Sequence, residues 1–166
     1  MQRSAGKKTS SRACVRSCDN DIVITLPRSS WSVDFHPRCE AWADDLVPSD
    51  QEALLAAVRI LRDEGPNLGR PLVDSVQGSR HRNMKELRPG STGRTEVRVL
   101  FAFDRERRAI LLVGGDKSND WSGWYKVNIP IADERYAEHQ AQIVQRQTEK
   151  KAKADSTGRR SKGRKR

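Results

Sequence analysis

Apolar and polar residues alternate most clearly between residues 80 and 117, and the rest of the chain is organised around this stretch. Within residues 95–103, one side carries the apolar residues Val97, Val99, Phe101 and Phe103. The other side carries Glu96, Arg98, Leu100 and Ala102. Because successive side chains of a strand point to opposite faces, this pattern predicts a strand with one buried face and one open face.

Two further strands flank this one. Residues 84–88 predict a short basic strand, and the apolar run 110–113 predicts a strand that is covered on both faces. The turn between the last two strands is charged, as befits an exposed connection. Together the three strands predict an antiparallel meander with arginines on its open face.

Upstream of the meander, the pattern predicts one strand and a helical hairpin. Residues 31–35 alternate like a strand, and Pro37 suits the first turn of a helix with Trp42 and Leu46 on one face. Residues 49–52 read as a capping box, with Ser49 as the cap. The helix that follows presents an apolar face and ends at Gly65-Pro66. That face consists of Leu54, Val58 and Leu61, with Leu55 beside them. We expect the hairpin to cover the apolar face of the meander.

The remaining segments complete an α+β fold. Residues 66–80 predict a connecting loop with at most a short helical turn, and Gly114-Gly115 predicts unusual backbone angles at a strand end. Asn128 is a suitable cap for a final helix. That helix carries an apolar series: Ile131, Tyr136, Ile143 and Val144. The predicted order is strand, helix, helix, three strands, helix.

The charge is unevenly distributed. The chain of 166 residues has a formal net charge of +10 and a pI near 10.0. Residues 150–166 contribute +8 and residues 1–30 contribute +4, so residues 31–149 carry −2. We predict three parts: a basic, largely disordered extension over 1–30, a folded domain over 31–149, and a basic disordered tail over 150–166. Within the extension, residues 22–26 could add a strand. A basic site on the folded domain must therefore be local, and residues 80–98 supply one with six Lys/Arg against two Glu.

Other classes of protein fit the composition poorly. No apolar run is long enough to span a bilayer or to serve as a signal peptide, so we expect a cytoplasmic protein without a membrane partner. Three cysteines, an odd number, argue against a disulfide framework. Cys14, Cys18, His36 and Cys39 resemble a zinc site only loosely, because their spacing is irregular. We therefore predict neither a metal nor a cofactor.

Three segments carry a family resemblance: GSRHRNMKELR, VRVLFAFD and LLVGGDKSNDWSGWYKVNIPIADE. Over roughly residues 31–140, the chain resembles the phage Gp49-like, HigB-type branch of the RelE/ParE toxins. The resemblance implies a RelE-like fold, with a small twisted antiparallel sheet, an N-terminal helical hairpin and a C-terminal helix. It also implies a helix-turn-helix antitoxin as partner, and ribosome-dependent cleavage of mRNA.

The resemblance assigns the catalytic residues. The basic residue of the family's Leu-Arg pair falls on Arg88, and the arginine of its next strand falls on Arg98. The cation after the last strand falls on Lys117, and the aromatic hydroxyl that follows falls on Tyr125. Where several relatives carry a lysine, this chain has Glu86.

Alternation along the short strand places Glu86 and Arg88 on one face and Lys85 on the other. Glu86 is then either a general base or an ion-pair partner of Arg88 and Arg98. A carboxylate between two arginines is a weak base, which favours the ion pair.

The chemistry of RNA cleavage explains why such residues suit the site. Attack by the 2′-hydroxyl requires proton removal, proton delivery to the 5′-oxygen, and stabilisation of charge on the phosphorane. Arginine clamps phosphate bidentately, and a lysine crowded by cations can move a proton. We expect RNA to be held by basic residues near the strands and by one aromatic ring: Arg80, Arg82, Lys85, Arg94 and Trp124. Trp124 either stacks on a base or packs beneath the last helix.

Two other functions remain open at this point. The chain could be a non-catalytic, ParE-like inhibitor of a protein target such as gyrase, or a phage-derived binding protein without toxicity. A basic concave sheet face would favour RNA, whereas the absence of exposed Lys or Arg there would favour a protein target.

Overall fold

A computed structural model of the chain describes residues 31–90, 95–118 and 121–162, with the backbone alone for residue 121 and residues 155–162. Five strands are present in these ranges: β1 (Ser32–Phe35), β2 (Val73–Ser75), β3 (Met84–Leu87), β4 (Val97–Phe103) and β5 (Arg108–Asp116). They are joined by three α-helices: α1 (Pro37–Asp44), α2 (Pro48–Glu64) and α3 (Trp121–Lys162). The predicted extension over 1–30, with its strand over 22–26, lies outside the described residues.

The strands form one sheet in the order β1-β5-β4-β3-β2. The predicted meander of β3, β4 and β5 is confirmed as antiparallel, and β2 extends it on the far side of β3. At the other edge, β1 pairs with β5 in the parallel direction, so the sheet is mixed rather than wholly antiparallel. Alternation reports which face a side chain occupies and carries no information on strand direction. The α+β class is confirmed.

The helical hairpin covers one face of the sheet, as predicted. Its buried positions Cys39, Leu54 and Leu61 pack against Val99 and Phe101 of β4. Leu55 is half-exposed and lies beside this core rather than in it, while Leu46 packs on the core from beyond the end of α1.

The predicted capping box at the start of α2 is wrong. The helix begins at Pro48, and its cap residue Val47 makes no side-chain hydrogen bond. A proline at the first helical position has its φ angle already set and no N–H to satisfy, which moves the start ahead of Ser49. Gln51 instead donates hydrogen bonds of 3.0 and 2.9 Å to the carbonyls of Ala43 and Asp44, the last residues of α1. The side chain thereby ties the two helices of the hairpin together.

The second face of the sheet is covered as well, so the predicted open face is wrong. Leu100 and Ala102 of β4 are fully buried beneath Ile129, Ala132 and Tyr136 of α3. Leu100 and Ala102, one aliphatic and one small, are enough to form an apolar surface on this face of β4 against which a helix can pack. Only the end of that face near Arg98 is left for polar side chains.

The final helix starts earlier and ends later than the sequence suggests. It begins at Trp121, so Asn128 lies inside it and donates to the carbonyl of Trp124 at 2.8 Å instead of capping. Tyr136 and Ile143 are buried as predicted, whereas Val144 is exposed. The helix continues to Lys162, so residues 150–162 are helical here, in contrast to the predicted disordered tail. Lysine and alanine are good helix formers, and a helix already nucleated by packing extends at low cost.

Gly114 and Gly115 lie within β5 rather than after it, and they serve close packing instead of unusual backbone angles. A Cβ atom on Gly114 would overlap the indole ring of Trp42, and one on Gly115 would lie 2.5 Å from Nε1 of Trp124. Two aromatic rings therefore approach the strand from opposite faces, one from each helical layer.

The segment between α2 and β3 is more structured than predicted. Gly65, at φ +59°, ends α2 and begins a short helical turn, Gly65–Asn67. β2 then pairs with β3 where the sequence predicts only a loop, because a strand of three residues is too short to show alternation. Within the described ranges, no helix combines the length and apolar character that a bilayer span requires.

Candidate active site

Five side chains predicted to be catalytic come together at one end of the sheet. Glu86 lies on β3 and Arg88 just after it; Arg98 lies on β4 and Lys117 directly follows β5. Tyr125 reaches the same place from the second turn of α3. These residues are spread over 40 positions of sequence, and the antiparallel pairing of β3, β4 and β5 brings the four strand positions to a single edge.

Glu86 is the centre of the cluster, and only 2% of it is exposed. Its Oε2 accepts a hydrogen bond of 2.8 Å from Nε of Arg88. Its Oε1 accepts one of 2.5 Å from the hydroxyl of Tyr125 and lies 3.5 Å from Nε of Arg98. Glu86 and Arg88 share a face, as the strand alternation predicts. Glu86 also pairs with both Arg88 and Arg98.

Arg88 is held from two sides. Besides Glu86, its Nη2 donates to Oδ2 of Asp74 at 2.8 Å, and that carboxylate also accepts from Nη2 of Arg70 at 2.7 Å. Burial opposes the charge of Arg88, but the hydrogen bond and charge of Glu86 raise the pKa of the guanidinium. Sequence reasoning missed Asp74, whose β2 position stands opposite Glu86 in the register.

Arg98 is largely buried, with 15% of its side chain exposed. Its Nη1 donates to the carbonyl of Val97 at 2.7 Å, and its Nη2 lies 3.5 Å from Oε2 of Glu96. Its Nε is buried without a hydrogen bond of normal geometry among the described residues. The guanidinium thus contacts a buried carboxylate at one end and an exposed one at the other.

Lys117 and Tyr125 form the side of the cluster nearest α3. Nζ of Lys117 lies 3.4 Å from the Tyr125 hydroxyl and 5.5 Å from the centre of its ring. Burial and the charge of Arg98 lower the pKa of Lys117, although nearby carboxylates oppose the shift. Burial and the hydrogen bond to Glu86 raise the pKa of Tyr125 well above its usual value of 10.0.

The residues predicted to bind RNA are placed differently. Arg80 and Arg82 are exposed near the start of β3, at the opposite end of that strand from Arg88. Arg80 is tied to Asp133 of α3 through its backbone N–H at 3.0 Å and its Nε at 3.5 Å. Lys85 lies on the hairpin face of β3, away from Glu86, as alternation predicts, and Arg94 lies outside the described residues.

Trp124 follows the packing alternative, because it is half-buried against Gly115 and the core beneath α3. A groove of about 630 Å³ lies beside α3 and is lined by Arg80, Tyr125, Ile129, Pro130 and Asp133 among others. Of the five clustered residues, Tyr125 alone lines it.

The arrangement combines cations that can hold a phosphate with groups that can exchange a proton. Arg88, Arg98 and Lys117 supply positive charge, while the hydroxyl of Tyr125 donates a hydrogen bond to Glu86. Among the described residues, no three His, Cys, Asp or Glu side chains are placed to hold a metal ion. Cys39 of the loosely zinc-like set is buried in the hairpin core.

Comparisons with known proteins find a family and several relatives. The family model for phage-derived Gp49-like proteins matches residues 41–137. The chain is 51% identical over 122 residues to the Mycobacterium tuberculosis H37Rv protein named "Putative toxin HigB2", covering 74% of this chain and 60% of that protein. It is 50% identical over 99 residues to "Putative toxin HigB3" of the same strain, covering 60% of this chain and 84% of that protein.

Solved structures show a more distant likeness. A mutant of the E. coli toxin RelE in the free state has a TM-score of 0.45 at 15% identity, over 58% of this chain and 92% of that one. The archaeal RelE–RelB complex from Pyrococcus horikoshii has a TM-score of 0.41 at 15% identity, over 54% and 98% of the two chains. Likeness at this level carries no functional argument.

The family match covers more than half of the chain, and all five clustered residues, from Glu86 to Tyr125, lie within it. The chain spans 60% of the length of HigB2 and most of the length of HigB3. The recognition made from the sequence is thereby confirmed: this chain belongs to the family of phage-derived Gp49-like proteins.

Proposed function

We propose that this protein is the toxin of a type II toxin–antitoxin pair and that it acts as a ribosome-dependent mRNA endonuclease. Its similarity to two proteins named as HigB toxins supports the toxin assignment. The observation that carries the enzymatic part is the cluster of Arg88, Arg98 and Lys117 around the Glu86–Tyr125 hydrogen bond. Such a set offers both phosphate binding and proton transfer, which cleavage by the 2′-hydroxyl requires.

The side chains take distinct roles in this mechanism. Arg98 and Arg88 stabilise the negative charge that develops on the phosphorane, because a guanidinium stays protonated throughout. Burial and the charge of Arg98 lower the pKa of Lys117, so this side chain is the group in the cluster best suited to exchange a proton. Tyr125 has a raised pKa and keeps its proton, so its hydroxyl donates a hydrogen bond that orients the Glu86 carboxylate and carries no negative charge itself. Glu86 mainly fixes the two arginines.

The partners follow from the same assignment. We propose that a helix-turn-helix antitoxin neutralises the protein and that ribosome-bound mRNA is its substrate. A small helix-turn-helix gene beside this one would support the pairing.

The test is induced expression of the whole chain, followed by primer extension on cellular mRNAs. We expect new 5′ ends inside translated regions and their disappearance when translation initiation is blocked first. Purified protein should cut mRNA on programmed ribosomes and leave naked mRNA intact. The absence of new ends in growth-arrested cells would contradict the endonuclease.

One observation favours the second candidate, a non-catalytic inhibitor of a protein target. Arg98 and Lys117 are only 15% and 5% exposed, so little cationic surface faces solvent at the cluster in the free chain. A ParE-like inhibitor would block DNA supercoiling by purified gyrase and would arrest growth without mRNA cleavage. Running the supercoiling assay beside primer extension separates the two functions.

A further inference from the structure

Glu96 is a charged residue that the proposed mechanism does not use. It precedes β4, and 48% of its side chain is exposed. A single carboxylate oxygen, Oε2, lies 3.5 Å from Nη2 of Arg98 and 3.7 Å from Nζ of Lys117. Two cations of the candidate active site therefore converge on one solvent-accessible anionic oxygen.

The backbone of Glu96 is fixed independently of this contact. Its N–H donates to Oδ1 of Asp116 at 2.8 Å, and its carbonyl accepts from the backbone N–H of Lys117 at 3.1 Å. Both side-chain distances exceed the range of a normal N–H···O hydrogen bond, which extends to about 3.2 Å. The carboxylate can accordingly swing into solvent while the strand ends stay in place.

Geometry and charge at this position match a phosphate. A phosphodiester, like a carboxylate, presents two oxygens that share one negative charge, and arginine binds either of them through a pair of N–H groups. Nη2 of Arg98 faces this position, while its Nη1 donates to the carbonyl of Val97 and its Nε faces Glu86. A phosphate that takes the place of the Glu96 carboxylate would lie beside Nη2 of Arg98 and Nζ of Lys117.

We propose that the position of the Glu96 carboxylate is a phosphate subsite, and that Glu96 occupies it as an internal competitor until an RNA phosphate displaces it. This inference rests on the proposed function for the identity of the RNA. It adds a specific residue that weakens phosphate binding in the free protein. The cations stay paired until a stronger ligand arrives, which reduces binding to stray polyanions.

The test measures phosphate binding without RNA or ribosomes. Inorganic phosphate is titrated into the full chain, and the NMR shifts of the Arg98 Nε–H and the Lys117 amide report occupancy of the subsite. Glu96→Gln keeps the shape of the side chain and removes the competing charge. We expect its Kd for phosphate to be roughly three- to tenfold lower than that of the wild type, as suits the loss of one like charge a few ångströms away in a largely aqueous setting.

Glu106→Gln is the matched control. Its carboxylate is also part-exposed and pairs with an arginine, Nη2 of Arg108 at 2.6 Å, in the turn between β4 and β5 at the opposite end of the sheet. This variant has the same change in net charge and should bind phosphate like the wild type. Adding Arg98→Ala to Glu96→Gln should abolish the gain.

Two results would overturn the proposal. Equal tightening by Glu96→Gln and Glu106→Gln would mean a general effect of net charge, and unchanged or weaker binding by Glu96→Gln would mean that Glu96 does not compete. Thermal unfolding of each variant verifies that the fold is intact. Since cleavage plays no part in the measurement, a failure of the proposed endonuclease activity would appear separately, in the primer-extension assay.

Discussion

The hydroxyl of Tyr125 donates a hydrogen bond of 2.5 Å to Oε1 of Glu86, and so joins α3 to the charged end of β3. The same oxygen lies 3.5 Å from Nε of Arg98. A carboxylate that is engaged by a tyrosine and two arginines has its lone pairs in use within the protein. The relationship explains why we assign Glu86 to holding the site together, although it stands where several relatives carry a lysine.

Glu86→Gln should lower the free energy of unfolding by about 3 kcal/mol, because removing one partner of a buried ion pair leaves the other charge uncompensated. The value of about 0–1 kcal/mol that exposed ion pairs contribute does not apply to a side chain this buried. Urea denaturation measures the loss. Glu96→Gln, at an exposed carboxylate near the same arginine, is the control and should stay within about 1 kcal/mol of the wild type.

A catalytic role for Glu86 would show in a different measurement. Single-turnover cleavage that falls by more than roughly a hundredfold in Glu86→Gln, with RNA binding unchanged, would identify it as the general base. A limb of the pH–rate profile that rises in the acid range would agree with that role. A limb at alkaline pH would instead indicate Lys117, since its pKa is lowered while that of Tyr125 is raised beyond the usable range.

Arg98→Ala should abolish growth inhibition while the fold stays intact. The side chain lies at the polar end of β4 beside Lys117, and loss of one donor to a developing anion costs about 10²–10³ in rate. Growth after induction, at equal expression confirmed by immunoblot, gives the readout. Arg105→Ala, an exposed arginine in the turn at the other end of β4, should remain toxic. Toxicity equal to the wild type would remove Arg98 from the site.

Asp104→Asn should make unfolding less dependent on pH in the acid range. The carboxylate accepts hydrogen bonds from Nε2 of His139 at 3.0 Å and Nε of Arg108 at 3.1 Å. Although burial opposes it, the hydrogen bonds hold the pKa of Asp104 below its usual value of 3.8. Its stabilisation is therefore present above about pH 4 and is lost as the pH falls through the folded-state pKa.

Urea midpoints measured from pH 7 to pH 2 check this expectation. The variant should be less stable at pH 7 and should lose less stability on acidification than the wild type. Asp63→Asn, at an exposed carboxylate that lies 3.6 Å from Arg62, should follow the wild-type curve. Parallel curves for Asp104→Asn and the wild type would contradict the assignment.

Gly114→Ala should destabilise the protein by about 1–3 kcal/mol, the usual cost of overpacking. The added methyl group would overlap the ring of Trp42, which is rigid and packs on the hairpin core. Gly69→Ala is the control, because nothing lies within 4 Å of the position that its added methyl group would take. Equal urea midpoints for the two variants would show that Trp42 can move aside at little cost.

A variant that ends at Lys150 should keep the cleavage pattern and bind ribosomes or RNA with a weaker dependence on salt. Half of the removed residues are basic, and each phosphate that they neutralise adds to the slope of log K against log salt. Filter binding at several salt concentrations gives the slope. A change in the positions of the cuts would mean that this part of α3 recognises the substrate.

Strand alternation is a reliable guide to the candidate site, because the face of each residue depends only on its position in the strand. It places Glu86 and Arg88 together and Lys85 apart, as the structure has them. Alternation wrongly predicts that the face of Leu100 and Ala102 is open, whereas α3 covers it. The polar residue Arg98 at the start of this face does not show whether a helix distant in sequence covers the rest. Asp74 escapes prediction for a related reason, because its strand of three residues has no period of its own.

Local signals for helix ends are less reliable. Ser49 and Asn128 each have the side chain of a good cap. However, α2 begins at Pro48, ahead of the start predicted from Ser49, and Asn128 lies two turns inside α3. A cap contributes about 1 kcal/mol, which packing of a whole helix easily outweighs. The fold class is recognisable because it depends on the order of elements and on the family resemblance rather than on such boundaries.

The central place of β5 in the sheet has a consequence for synthesis of the protein. β1 precedes the other four strands in the chain, but its partner in the sheet is β5, so its hydrogen bonds cannot form until residues 108–111 have left the ribosome. Tyr125 emerges later still and completes the charged cluster. On the proposed function, a nascent chain is inactive until most of it has been translated, and premature termination before residue 125 should release an inactive fragment. The proposed antitoxin would then have that interval in which to be made.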